Sequence, residues 1–322
     1  MSVNEDHIGE TPLIKIEIDE PPSVYAKVEW FNCYSQPYGG GSIKTRIAKT
    51  MLDKAEQSSA FDEDMTIVEP TSGNTGCALS RVAANRGYDV EIFMASDAPP
   101  NKKAAIRETG ATIHEIDGDY DTVIERCMDY VDANPEKYYS PNQYENPQNP
   151  LAHEWNTATE IWEQIPEHIT HLVGGAGTGG SITGLAHGLS AFHRMGSSSS
   201  LYSDAEHSPL SIIAYEPETG EHHIEGLKYM QGTVHKPSVY NEEVIDTKYF
   251  ISTTRAFEGA KSLREKYTDK PISIVDTGQH DESTVRKNLR VDGDFKVGPS
   301  SGAAFSIINK LAQSTDLSVD DT

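Results

Sequence analysis

Two stretches of this chain share one local design: a short run of β-branched and apolar residues, a loop crowded with glycine and hydroxyl side chains, then a helix-forming run. The first reads "MTIVEP", "TSGNTG", "CALSRVAANRG"; the second reads "THLV", "GGAGTGG", "SITGLAHGLSAF". A strand that leads through a helix can return to the sheet as a parallel neighbour, so repetition of the pattern predicts an α/β architecture. In open sheets of this kind ligands bind beyond the carboxyl ends of the strands, where both loops stand. Each loop also opens a helix, whose free N–H groups and dipole favour anions.

The rest of the chain extends the pattern. "DVEIFMA" and "ATIHEID" are predicted strands, and the helices "CALSRVAANRG" and "NKKAAIRETG" close at Gly87 and Gly110. "YDTVIERCMDYVDANP" places Val123, Cys127, Tyr130 and Val131 on one helical face. "SIIAYEP" predicts a further strand; residues 253–267 and "SSGAAFSIINKLAQ" predict helices. The segment between Tyr267 and Phe295 reads as an insertion carrying one short strand, "ISIV". Prolines in "YENPQNPLAHEW" suit a crossing between two domains, which a chain of 322 residues is long enough to hold.

Charge excludes several partners. At a net charge of −23 the surface repels nucleic acid and anionic membranes, and the acids are spread along the chain as on a surface suited to high salt. No apolar run approaches the ~18 residues of a membrane span, and "MSVNEDHIGETP" lacks the apolar core of a secretory signal. Cys33, Cys77 and Cys127 form no C-x-x-C pair, so neither a zinc site nor a disulfide framework is signalled and a reduced, cytoplasmic setting is expected. The pair His222–His223 is a poor metal site, because adjacent histidines do not converge on one ion from a regular element.

The loops carry the chemistry. "GGAGTGG" matches G-x-G-x-x-G through Gly175, Gly177 and Gly180, but the acid that should hold a ribose about 20 residues on is missing until Asp204, which leaves the dinucleotide reading weak. In "TSGNTG", Thr71, Ser72, Asn74 and Thr75 are more polar side chains than a helix cap needs, and suit a small carboxylate. A third loop, "GGGSIKTR", looks like a phosphate loop, yet Ile43 stands where such a loop needs glycine before its lysine. A lysine at the mouth of a helix, with a separate anion cradle elsewhere, has another use: Schiff-base formation with the aldehyde of pyridoxal phosphate.

In order and spacing, "GSIKTR", "PTSGNTG", "YENPQNP", "GGAGTGG" and "VGPSSGAA" resemble the cysteine synthase and cystathionine β-synthase family of fold-type-II pyridoxal phosphate enzymes, over about residues 11–312. The resemblance implies two α/β domains, each a mostly parallel twisted sheet flanked by helices: a smaller one over 35–150 and a larger one from 1–34 plus 151–322. It implies that Lys44 holds the cofactor and takes the substrate Cα proton. It places Asn74 on the cofactor's 3′ oxygen, and Gly177, Thr178, Gly179, Gly180 and Ser181 around its phosphate. Thr71, Ser72, Thr75 and Gln143 would hold the substrate carboxylate, and Ser300 would face the pyridine nitrogen. A neutral Ser300 leaves the ring a weaker electron sink, which favours loss of a leaving group from Cβ over a long-lived carbanion. As a bare sequence position Ser300 also reads as a helix N-cap. Thr45 departs from the aspartate that many members carry.

The activity so implied is β-replacement: O-acetylserine or O-phosphoserine plus sulfide gives cysteine, by a homodimer without a metal. Lys228, in a segment that borders the substrate in this family, suits a phosphate leaving group. Condensation with homocysteine, serine or threonine dehydration, a nicotinamide-dependent oxidoreductase, and a non-catalytic binding protein are the alternatives.

Overall fold

The computed structural model describes residues 5–19, 22–32, 41–71, 73–197 and 209–313. Ser72, Cys33 and the early glycines Gly39 and Gly40 lie outside the described residues. Two compact units form, one from Met1–Gly9, Glu29–Asn149 and Thr233–Lys236, the other from Glu10–Val28, Pro150–Gly232 and Pro237–Thr322.

Strands β1 (Leu13–Ile16) and β2 (Val24–Lys27) come first and belong to the second unit. The chain then builds the first unit from α1 (Ile43–Glu56), β3 (Thr66–Pro70), α2 (Asn74–Arg86), β4 (Val90–Ala95), α3 (Pro100–Arg107), β5 (Thr112–Ile116), α4 (Tyr120–Asp132) and β6 (Tyr138–Tyr139). Its sheet runs β5-β4-β3-β6 and every pairing is parallel. Strand β3 is interior, and its alternating side chains enter opposite cores. Ile67 joins Leu52, Leu79, Ile92 and Ile106 on one face, while Val68 joins Phe93, Val123 and Cys127 on the other. Gly87 ends α2 with φ +86°, a left-handed turn that glycine adopts without strain. Helix α3 stops earlier than its sequence pattern, at Arg107, and Gly110 (φ +91°) makes the turn into β5.

From α5 (Gln148–Ala152) the chain passes through a π-helical turn (His153–Thr157) into α6 (Ala158–Gln164), then β7 (His171–Gly175), α7 (Gly180–Ser197) and β8 (Ser211–Pro217). It continues with β9 (Thr247–Ile251), α8 (Thr253–Tyr267), β10 (Ser273–Asp276), α9 (Glu282–Asn288) and, after a small hairpin, α10 (Pro299–Gln313). The second unit has a parallel sheet, β7-β8-β9, with Ile212 and Ala214 packed to one side and Ile213 and Tyr215 to the other. It also has an antiparallel sheet, β10-β1-β2. The segment read as an insertion is thus part of the unit's frame, since its strand "ISIV" supplies β10. Helices α8 and α10 cross closely: a Cβ on Gly259 would lie 2.1 Å from the Gly302 carbonyl oxygen, so only glycine allows the approach that seats the start of α10.

Candidate active site

In the first unit, Lys44 is the second residue of α1. Ser42 caps the helix by accepting from the Lys44 N–H at 3.2 Å, and the Thr45 hydroxyl accepts from the Ser42 N–H at 3.2 Å. This reciprocal cap explains Thr45: a short side chain with an acceptor oxygen is what the position uses. The next residue, Arg46, is 3% exposed and grips Glu29 through two bonds of 2.7 and 2.8 Å. Gly41 closes the approach; a Cβ there would sit 1.7 Å from the Asn32 carbonyl oxygen. Burial lowers the Lys44 pKa to about 8, and a cation at a helix N-terminus is disfavoured by the dipole as well. A substantial neutral amine fraction at ordinary pH follows, as nucleophilic and base chemistry requires.

The loop after β3 turns its polar groups toward the N-terminus of α2. The Thr71 hydroxyl accepts from the N–H groups of Gly73 (3.0 Å) and Gly76 (3.3 Å), so its own proton remains to be donated. Gly73 is the N-cap residue and its φ of +139° demands glycine. The Lys102 ammonium donates to Asn74 Oδ1 at 2.5 Å, which assigns the carbonyl end of that amide and leaves its NH₂ to donate elsewhere. The Thr75 hydroxyl donates to Gln143 Oε1 at 2.6 Å, and Gln143 Nε2 donates to the Pro70 carbonyl at 3.2 Å. Thr71, Thr75 and Gln143 are each at most 3% exposed. Hydroxyl, amide and first-turn helix N–H donors thus gather at one strand end, an arrangement for an anion. Helix capping accounts for one bond here, to Gly76, and not for the cluster.

In the second unit, the loop after β7 opens the 18-residue helix α7. A Cβ on Gly177 would lie 2.2 Å from the Gly226 carbonyl oxygen, and one on Gly179 (φ +82°) 2.4 Å from Tyr240. Thr178 is buried and its hydroxyl accepts from the Gly180 N–H at 3.3 Å. Ser181 Oγ lies 3.0 Å from Nε2 of His153, whose Nδ1 lies 3.0 Å from Thr157 Oγ1. The π-helical turn supplies this fully buried histidine, which sequence reasoning missed. Lys228 adjoins the loop through its backbone, donating to the Ala176 carbonyl at 2.9 Å. Ser300 is the second residue of α10 rather than its cap, and its carbonyl accepts from the Tyr215 hydroxyl at 2.9 Å. Burial raises the Tyr215 pKa, keeping the phenol a donor.

The sequence profile of one family, described as pyridoxal-phosphate dependent enzyme, matches residues 5–322. The chain belongs to that family. It is 33% identical to a cysteine synthase of Aquifex aeolicus over 267 residues, which covers 80% of this chain and 75% of the relative. It is 30% identical to cysteine synthase A of Escherichia coli strain K12 over 312 residues, covering 92% and 91%. Among solved structures, cysteine synthase from Entamoeba histolytica superposes with a TM-score of 0.74 at 28% identity, covering 96% of this chain and 81% of that one. Pyridoxal phosphate is accordingly the cofactor of this enzyme. Its residues fit the group: a cradle of tightly packed glycines that only backbone can line, at the head of a long helix, suits a phosphate, and a partly buried lysine with a lowered pKa suits an aldehyde.

Proposed function

We propose that this enzyme makes L-cysteine by β-replacement, exchanging the leaving group of an activated serine for sulfide. Cysteine synthases among its relatives support the reading, and the observation that carries it is the pair of donors from Thr71 and Gln143 at the N-terminus of α2, the Gln143 side chain being held by Thr75, in an enzyme of this family. Bound pyridoxal phosphate supplies an electron sink that acidifies the substrate Cα–H. The chain's own groups do the rest. The Thr71 hydroxyl, the Gln143 amide and helix N–H groups would hold the α-carboxylate, with Thr75 fixing the Gln143 side chain; Ser72, the further sequence candidate, lies outside the described residues. The Lys44 amine would anchor the cofactor and would serve as the base for the Cα proton. Gly177, Thr178, Gly179, Gly180 and Ser181 hold the cofactor phosphate, His153 fixing the Ser181 hydroxyl. The Asn74 NH₂ would donate to the cofactor's 3′ oxygen, its rotamer held by Lys102. Ser300 would offer a neutral hydroxyl to the pyridine nitrogen.

Lys228 selects the leaving group. Its backbone adjoins the loop after β7, and an ammonium carried on that segment would favour O-phosphoserine over O-acetylserine. Holoenzyme is to be mixed in turn with O-acetylserine, O-phosphoserine, serine and cysteine while its visible spectrum is followed; the physiological first substrate is the one that perturbs the spectrum at the lowest concentration. Lys228→Ala is expected to weaken turnover of O-phosphoserine at least about tenfold, as for a lost charge-assisted contact, and to spare O-acetylserine. Equal effects on both esters would refute the role of Lys228. No spectral response to any of the four would refute β-replacement.

The enzyme is further read as a cytoplasmic homodimer from a salt-rich setting. With a net charge of −23, thermal stability is expected to rise as salt goes from about 0.1 to about 1 M and the screening length falls from about 10 to about 3 Å. A melting temperature indifferent to salt would contradict the halophilic reading, and a monomeric mass by light scattering the dimer.

A further inference from the structure

Glu69 is fully buried on the interior strand β3, one residue before the strand ends. Its carboxylate accepts two consecutive backbone N–H groups, from Asn142 at 2.9 Å (Oε2) and from Gln143 at 3.1 Å (Oε1). Asn142 has φ +50°, a left-handed conformation that asparagine tolerates better than most residues and that turns successive N–H groups toward one acceptor. The Gln143 carbonyl accepts from Asn149 Nδ2 at 2.7 Å, and its side chain bridges Thr75 and Pro70. Glu69 therefore fixes the backbone from which the Gln143 amide is aimed. We infer that Glu69 is a positioning residue for substrate binding, whose ionised carboxylate holds Gln143 in the geometry that grips the substrate α-carboxylate; this rests on the reading of the loop after β3 as the carboxylate site.

Among the described residues, the titratable groups that face Glu69 from neighbouring elements are neutral. They are Tyr120 and Cys127 of α4, Tyr139 of β6, and Tyr144. Burial raises the Glu69 pKa to about 7, against the opposing pull of the backbone bonds from Gln143 and Asn142 and of the Gln143 side chain. The protonated acid has one oxygen that accepts and one that donates, so it cannot receive both N–H groups. Glu69→Gln creates the same mismatch at every pH. The grip on a substrate carboxylate should therefore weaken as pH falls through 7 in the wild type and should lack that dependence in the variant.

The test titrates holoenzyme with L-serine and with ethanolamine, its analogue without the carboxylate, following the visible absorbance. The ratio of the two dissociation constants isolates the carboxylate grip and cancels the common amine titration. In the wild type the preference for L-serine is expected to fall about tenfold, the size of a lost charge-assisted contact, between pH 8 and pH 6. Glu69→Gln is expected to show the weaker preference at both pH values, with ethanolamine binding unchanged. A wild-type preference independent of pH, or a variant that keeps the full preference, would overturn the role of Glu69 and leave the carboxylate loop standing. A wild type with no preference for L-serine would overturn the loop reading itself, and the role of Glu69 with it. Should Glu69→Gln fail to fold, the wild-type pH series alone decides.

Discussion

Lys44→Ala is expected to abolish turnover, by at least about 10³-fold, and to leave the protein without its long-wavelength visible absorbance after dialysis. The loss is large because one amine serves as covalent anchor and as base, and positioned proton transfer alone contributes about 10²–10⁴-fold. Stability should move differently. The Lys44 pKa is lowered from 10.5 to about 8 by burial. Below pH 8 the folded cofactor-free protein carries a partly buried, desolvated ammonium that costs free energy; between about 8 and 10.5 the unfolded chain holds the proton more tightly, so stability rises with pH. The cofactor-free variant should therefore be no less stable than the wild type at pH 7, and should lack the rise above pH 8. A variant that keeps its colour and its turnover would remove Lys44 from the chemistry; one that loses activity through global unfolding at pH 7 would contradict the burial argument.

Gly179→Ala is expected to raise the dissociation constant for pyridoxal phosphate at least about 100-fold. Two independent costs meet at this residue. Its φ of +82° is left-handed, which costs a residue with a Cβ roughly 1–2 kcal/mol. The added methyl would also lie 2.4 Å from Tyr240, a side chain only 6% exposed and packed against Ala176 and Ile182. Relief requires the loop to move, and the N–H groups at the head of α7 move with it. Gly110→Ala is the control: it is equally left-handed (φ +91°) but meets nothing within 4 Å of its new Cβ. Equilibrium dialysis with free cofactor reads both. Cofactor affinity lowered equally by the two substitutions would show that stability, and not the shape of the cradle, is what the loop glycines provide.

The central strands, their loops and the helices after them were legible in sequence because each is a local pattern. Strands β3 and β8 are unbroken apolar runs ending in Glu-Pro, and the glycine loops punctuate them. The sheet β10-β1-β2 was not legible as a sheet. Its strands are four residues long, two of them carry lysine, and β10 is distant in sequence from the pair it joins. The turn of π-helix was hidden by Pro150, which reads as a break, and with it His153. Glu69 carries a sequence signal of its own. An interior parallel strand has both faces covered, so an acid within "TIVEP" must be buried and needs backbone or side-chain donors. The same reasoning applies to Glu216 in "SIIAYEP", which is 2% exposed and accepts from the Met230 N–H at 2.7 Å. A charged residue inside a central strand is thus a sequence signal for a loop held from behind.

Product analysis tests the central claim most directly. Holoenzyme supplied with O-acetyl-L-serine or O-phospho-L-serine and sulfide is expected to release one cysteine for each acetate or phosphate, and to lose that yield in Lys44→Ala. Release of pyruvate and ammonia in place of cysteine, with sulfide unconsumed, would contradict β-replacement and assign the same loops to a dehydratase.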